Sequence, residues 1–336
     1  MKIKRHLFKR TLENSPRSAV TINPYSTTYR GITMDRRSFV GTVTASLAAT
    51  TNTLSAQDKK PRILIVAGPS SHPPGTHEVP AGARLMKHCL ENITNSAPIS
   101  ADVVSKWPED PAMLASYSSL VFIGDVFPPM KMPEPSKILK DIGAMMDRGC
   151  GIVCVHYATG LTAKDVTEDG DHPLLQWMGG YFATGCKHHK SIARIFPKST
   201  ITPAAKDHPI NRGWKEYTIN DEPYINNYFG KDGNKLAANV TAIATSMLPP
   251  EKPSAEVVAW ATQRKDGGRG FAIVMPHFFR NWKEEDMRKC ILNGIVWSAG
   301  AEIPKDGIIT KLDDLGQFKP DAVEPKGREP KPAATK

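Results

Sequence analysis

An α/β architecture, with helices on both faces of a mostly parallel sheet, follows from three features of the chain. Short apolar runs recur, helical patterns separate them, and the loops that follow the runs are rich in Gly and Pro. Runs of four to eight apolar residues bounded by turn residues read as strands buried on both faces, and strands alternating with helices imply parallel pairing.

The elements can be taken in order. Ile63–Ala67 is the first strand, and the helix after it turns Leu85, Met86, Cys89 and Leu90 to the core. Ile99–Val104 is a second strand. A short helix then opens with Asp110 as N-cap and Pro111 at its first position, where a missing N–H costs nothing. Ser119–Gly124 is a third strand, Pro135–Asp147 an amphipathic helix ended by Gly149, and Cys150–Val155 a fourth strand. Residues 156–260 are less regular, with strands expected at Ser191–Phe196, Glu216–Ile219, Val240–Ala244 and Val257–Ala261. Gly270–Met275 is the last strand and Glu284–Trp297 the last helix. The reading is one α/β domain over residues 61–303 with a long insertion, then a Pro- and Lys-rich tail, 304–336, expected to be an extended arm or disordered.

Residues 1–56 form an N-terminal extension and export signal. Arg36-Arg37 within MDRRSFV resembles a twin-arginine signature; the weakly apolar Phe39–Ala49 and the small-residue site Leu54-Ser55-Ala56 follow in the right order. Translation starts at Met1 or at Met34. This order places the mature protein in the periplasm or at the cell surface, with no membrane span. The 336-residue chain carries a formal charge of +10, but residues 1–56 hold nine Lys/Arg and two Asp/Glu. The remaining 35 basic and 32 acidic residues leave no footprint for nucleic acid. Five cysteines at irregular spacing make no disulfide framework. No G-x-G-x-x-G or P-loop is present, so no nucleotide cofactor is expected.

Chemistry concentrates at strand ends. In an open α/β sheet, ligands bind at the carboxyl edge. The loop after the first strand, GPSSHPPGTHE, carries His72, His77 and Glu78. His156 follows the fourth strand at the kind of strand-to-turn junction that presents a reactive side chain, although a helix-capping histidine would also fit. His277 ends the last strand, ahead of Arg280, Asn281 and Trp282, or else packs among aromatics. Glu222, in Asp221-Glu222-Pro223-Tyr224, is a general acid/base or a turn residue. His188 and His189 would point to opposite faces of a strand, and the His172-Pro173 and His208-Pro209 pairs read as turns. No H-E-x-x-H or zinc-spaced C-x-x-C is met, yet a dispersed set such as His72, His77, His156, Glu222 and His277 could converge on a divalent ion such as zinc, which takes three protein ligands at catalytic sites, with His77, His156 and His277 the candidates for them.

The succession of GPSSHPPGTHE, MDRGCGIVCVHYATG, GGYF, DEPY, GGRGFAIVMPHFFRNW and NGIVWSAG over residues 61–303 resembles the ThuA-like (trehalose utilisation) family of the class I glutamine amidotransferase-like superfamily. The resemblance implies a flavodoxin-like three-layer sandwich. It also implies a lost amidotransferase triad. His156 stands at the turn where amidotransferases place a cysteine, Cys154 lies within the strand, and Phe279 stands where a glutamate would follow His277. Carbohydrate, as a disaccharide or oxidised sugar derivative, is the implied substrate class.

Three readings result. In the first, a carbohydrate-processing hydrolase, isomerase or lyase uses His156, Glu222 and His277 for acid/base or metal-assisted chemistry. His72, His77, Glu78, Tyr157, Tyr224, Arg280, Asn281 and Trp282 bind substrate. In the second, the chain binds sugars without catalysis, on platforms such as Trp107, Trp177, Trp214 and Trp282. The third, a cysteine hydrolase on Cys154 or Cys186, requires a thiolate at an electropositive turn. Self-association into a homo-oligomer is open under all three.

Overall fold

The computed structural model describes residues 60–326. The expected export signal and the last ten residues lie outside them.

Eleven strands and five α-helices are present among the described residues. β1 (Arg62–Ala67), α1 (Val79–Glu91), β2 (Ser100–Val104), α2 (Pro111–Ala115), β3 (Ser119–Ile123), α3 (Pro135–Asp147) and β4 (Gly151–Val155) alternate as expected. β3 and β4 are buried along their whole length, which is why their sequences are uninterrupted apolar runs rather than alternating ones. Asp110 caps α2 by accepting from the Ala112 N–H, with Pro111 first in the helix. The Cys89 and Leu90 side of α1 is buried as its periodicity requires.

The nine-stranded sheet has the order β2-β1-β3-β4-β11-β10-β9-β7-β8. Its first five strands, closed by β11 (Arg269–Ile273), are mutually parallel. Their 2-1-3-4-5 order is that of flavodoxin-like sheets, in which the chain reverses direction of growth between β1 and β3 and ligands bind at the carboxyl ends there. The other four, β7 (Phe196–Pro203), β8 (Tyr217–Asp221), β9 (Val240–Leu248) and β10 (Ser254–Gln263), extend the sheet antiparallel. A separate parallel pair joins β5 (Gly160–Thr162) and β6 (Phe182–Thr184). α1 and α5 (Glu285–Ser298) pack together over β1, β3, β4 and β11; α4 (Pro173–Met178) lies on β4, β10 and β11 and meets α3.

One expectation shifts, and one alternative is chosen. The strand expected at Ser191–Phe196 begins only at Phe196; before it a single bridge joins Ile192 to Ile225. Ile192 and Ile195 are 41% and 46% exposed, so the apolar signal there reports surface residues rather than a buried ladder. Residues 303–326 are an ordered arm, with Ile303, Ile308, Leu315 and Phe318 in the core and Arg84 of α1 donating to the Phe318 and Lys319 carbonyls. Among the described residues no helix is long and apolar enough to cross a membrane.

Candidate metal centre

Four strand ends of the parallel half deliver the site. β1 leads into the loop with His77, β3 into Gly124-Asp125, β4 directly into His156, and β11 into His277. His77 and His156 both have left-handed backbones, at φ 44° and 50°, as does Glu78 at φ 34°. Residues other than glycine pay about 1–3 kcal/mol for such conformations, and they gather where the surroundings hold them for function. Here the surroundings are backbone pairs: the His77 N–H donates to the His277 carbonyl (2.8 Å), and the Phe279 N–H donates to the Gly75 carbonyl (3.0 Å).

Three imidazole nitrogens converge. His77 Nε2 lies 3.0 Å from His156 Nε2 and 3.1 Å from His277 Nδ1, and the last two are 3.2 Å apart. All three residues are buried. Their outer hydrogen bonds decide their protonation. His156 Nδ1–H donates to the Val274 carbonyl (2.9 Å), since a carbonyl can only accept. His77 Nδ1–H donates to the Asp125 carboxylate (2.5 Å). Both Nε2 atoms therefore present lone pairs to each other at 3.0 Å, with no proton of their own to share.

Electrostatics keep the rings neutral. Burial pushes the His77 pKa down against its bond to Asp125. Burial, reinforced by His77 and His277, pushes His156 well below its usual value, and His277 falls to about 3 through burial and the nearby imidazoles. Burial acts to raise Asp125, but hydrogen bonds from His72, His77 and the Ser71 N–H prevail and hold it well below the usual carboxylate range. Neutral imidazoles, two of them held in the tautomer that turns Nε2 lone pairs inward, suit a divalent cation, and the Asp125–His77 bond is the outer carboxylate that commonly orients a ligating imidazole. Nitrogens around a tetrahedral zinc, at about 2.0–2.1 Å from it, sit about 3.3 Å apart. The observed triangle is close to that.

Glu222 closes the group, its Oε2 3.3 Å from His277 Nδ1 and 3.9 Å from His156 Nε2. Burial and the neighbouring Asp221 raise its carboxyl to about 7. With His77, His156 and His277 it forms a set of four donor atoms within 4.8 Å of one another. The Tyr224 hydroxyl is 3.2 Å from His156 Nε2, and the phenol ring stacks on that imidazole. Tyr157 stands edge-on to His77 and His72 beside a small cavity that His77, His156 and Tyr157 line. His72 sits one layer out, stacked on His77 at 3.5 Å with its Nδ1 2.9 Å from Asp125.

Four of the expected substrate-binding residues are engaged elsewhere. Trp282 is 1% exposed and belongs to the core, so it offers no platform to a ligand. Asn281 donates to Asp221 Oδ2 (2.7 Å) and to the Asn220 carbonyl. Arg280 lies over Phe278 and pairs with Glu324 of the arm. The Glu78 carboxylate is taken up by backbone N–H groups. Of the other tryptophans considered as platforms, Trp214 is buried, and Trp107 and Trp177 pack half-buried against the core. His172 and His208 accept from the Leu174 and Ile210 N–H groups at turn or helix starts, and His188 bonds to Tyr181. Cys154 is wholly buried in mid-strand and Cys186 is part-buried; burial raises both thiols, so neither meets the condition for a nucleophilic thiolate.

Two residues emerge only from the structure. Asp125 follows β3 at the switch point, where an aspartate after glycine also reads as an ordinary turn. Asp221 is fully buried and accepts from the His277 N–H (2.8 Å), so it fixes the backbone that carries that imidazole; burial raises its carboxyl to about 6 despite those bonds.

Residues 62–298 match the family described as ThuA, trehalose utilisation. The chain belongs to the ThuA family. A putative ThuA-like protein from Parabacteroides merdae superposes with a TM-score of 0.51 at 17% identity, covering 74% of this chain and 95% of that one. Another from Bacteroides uniformis gives 0.51 at 13% identity, covering 74% and 94%. A glutamine amidotransferase from Thermotoga maritima aligns at a TM-score of 0.37 and 10% identity, covering 71% of this chain and 90% of that one. A search of curated proteins found no match. In this ThuA member the turn after β4 presents the imidazole of His156.

Proposed function

We propose that this ThuA protein is a divalent-metal-dependent enzyme acting on carbohydrate, with His77, His156 and His277 as ligands and Glu222 as general acid/base. The observation that carries the reading is the pair of proton-free Nε2 atoms facing each other at 3.0 Å, with a third nitrogen within 3.2 Å of both. Two buried lone pairs so placed repel each other, and a cation between them relieves that repulsion.

A bound cation supplies Lewis acidity toward a sugar oxygen or water. The protein does the rest. Asp125 and the Val274 carbonyl hold two imidazoles in the ligating tautomer. Glu222, whose Oε2 stands 3.3 Å from His277 Nδ1 at the edge of the triangle, takes a proton from water or from a sugar carbon beside a carbonyl, and can return it to the product. The Tyr224 hydroxyl is placed to donate to a substrate oxygen next to His156. The family's link to trehalose utilisation supports a disaccharide or an oxidised sugar derivative as substrate. Export belongs to the same proposal, supported by Arg36-Arg37, the apolar Phe39–Ala49 and the small-residue site that follows.

Elemental analysis of the purified protein tests the reading. One equivalent of zinc, manganese or a similar ion is expected, together with turnover of disaccharides or keto-sugars that chelation abolishes and the metal restores. Protein that takes up no stoichiometric metal, even after incubation with each ion, would leave the converging imidazoles without their proposed role and favour metal-free sugar binding.

A further inference from the structure

The arm after the last helix touches the loop that presents His77. Glu78, 8% exposed, accepts from the Gly75 N–H (2.7 Å) within its own loop and from the Asp321 and Ala322 N–H groups (2.8 and 3.0 Å) of the arm. The Lys326 N–H donates to the Pro74 carbonyl (3.0 Å), and Glu324 pairs with Arg280 just beyond His277. The approach is close. A Cβ on Gly75, at φ 84°, would fall 2.2 Å from the Glu324 carbonyl oxygen, so the loop's glycine gives the arm its room.

From these contacts we infer that residues 319–326 are a working part of the metal centre: the arm, gripped by Glu78, holds His77 in its ligating position. The inference rests on the metal reading above. Its physical basis is the backbone at His77 and Glu78, two consecutive residues in the left-handed region. Such a pair relaxes toward ordinary conformations when nothing over-determines it. Inside the loop only the Gly75–Glu78 bond opposes that relaxation through Glu78's side chain; the two remaining bonds to the carboxylate come from residues more than 240 positions away. Glu78 and the arm are thus positioning elements that touch neither cation nor substrate.

Two variants test this with Co²⁺ as the probe, read by its visible absorption and by titration. Ending the chain at Pro320 keeps Leu315 and Phe318 in the core while removing the strap. In the full chain, Glu78→Gln keeps the oxygen that serves Gly75 and Ala322 but turns an NH₂ toward the Asp321 N–H. The truncated protein is expected to bind Co²⁺ about tenfold or more weakly, the range of outer-partner losses, with an altered absorption band. Glu78→Gln should show a smaller change of the same sign, and a peptide of residues 319–336 added to the truncated protein should restore affinity and spectrum. Amide exchange over residues 72–78 should quicken in both variants. Unchanged affinity, spectrum and exchange in folded variants would overturn the inference. Wild-type protein that binds no Co²⁺ would instead sink the metal reading, and exchange in residues 72–78 would then decide the arm's role alone.

Discussion

Three imidazoles and their outer carboxylate reach the site from the parallel half of the sheet, whereas Glu222 and Tyr224 reach it from the end of β8, the edge strand of the antiparallel half. The parallel strands are buried on both faces and fix their carboxyl ends closely, which suits ligands that must hold a triangle of 3.0–3.2 Å. The antiparallel extension alternates buried and exposed residues, as along β8, and carries the group proposed to exchange a proton. The proposed function thereby assigns holding the cation and moving the proton to different halves, and substitutions can separate them.

The largest effect is expected from His156→Ala, which removes the apex of the triangle. Bound metal should fall from stoichiometric to background, more than about 100-fold in affinity, because loss of outer partners alone costs about 10–100-fold. Elemental analysis and circular dichroism together check this; a folded variant that retains full metal would break the division at its strongest point. Next comes Glu222→Gln, expected to keep the metal and lose about 10²–10⁴-fold in kcat. If that variant loses its metal, Glu222 belongs with the ligands and the halves share one task. Asp125→Asn should weaken metal binding by about 10–100-fold, with kcat at saturating metal changed far less.

A separate effect, on stability rather than on the site, concerns the seam between the halves, where α4 lies across β4, β11 and β10. His172 caps α4 through a neutral Nδ1 that accepts from Leu174, and burial lowers its pKa from 6.5 to about 4. A base with a lowered folded pKa contributes stability above its unfolded value and loses it as pH falls toward the folded one. Metal-free protein should therefore lose up to about 3 kcal/mol between pH 6.5 and 4 on this account. His172→Asn, which keeps a cap acceptor without a titrating ring, should flatten that limb in urea unfolding at graded pH. An unchanged acid limb would place the seam's pH response elsewhere.

How much of this was legible in the chain differs between the halves for the same physical reason. β1, β3 and β4 are read directly because double-sided burial leaves only apolar residues, and His156 and His277 are then found by counting to the strand end. Ser191–Phe196 misleads because Ile192 and Ile195 lie at the surface, and β7 itself carries Pro197 and Pro203, residues that weaken a strand pattern. Asp125 looks like a turn residue until its two histidine partners are in place. Trp282 reads as a ligand platform beside Arg280 and Asn281, but a ten-atom side chain one turn before α5 is better used as filling against Gly82. The arm's Pro/Lys composition hides its few anchors, Leu315 and Phe318, among residues that stay solvated.

The separation of the donors along the chain has a consequence for biogenesis. His77 and His277 are 200 residues apart, and His156 and Glu222 fall between them. No nascent fragment that ends before His277 contains the full set, and β11 must insert beside β4 before the last nitrogen arrives. On the proposed reading, cation capture is thus a late event that reports a completed sheet. For a chain proposed to leave the cytoplasm already folded, the choice of ion would then be settled by the compartment of synthesis and not by the one in which the protein works.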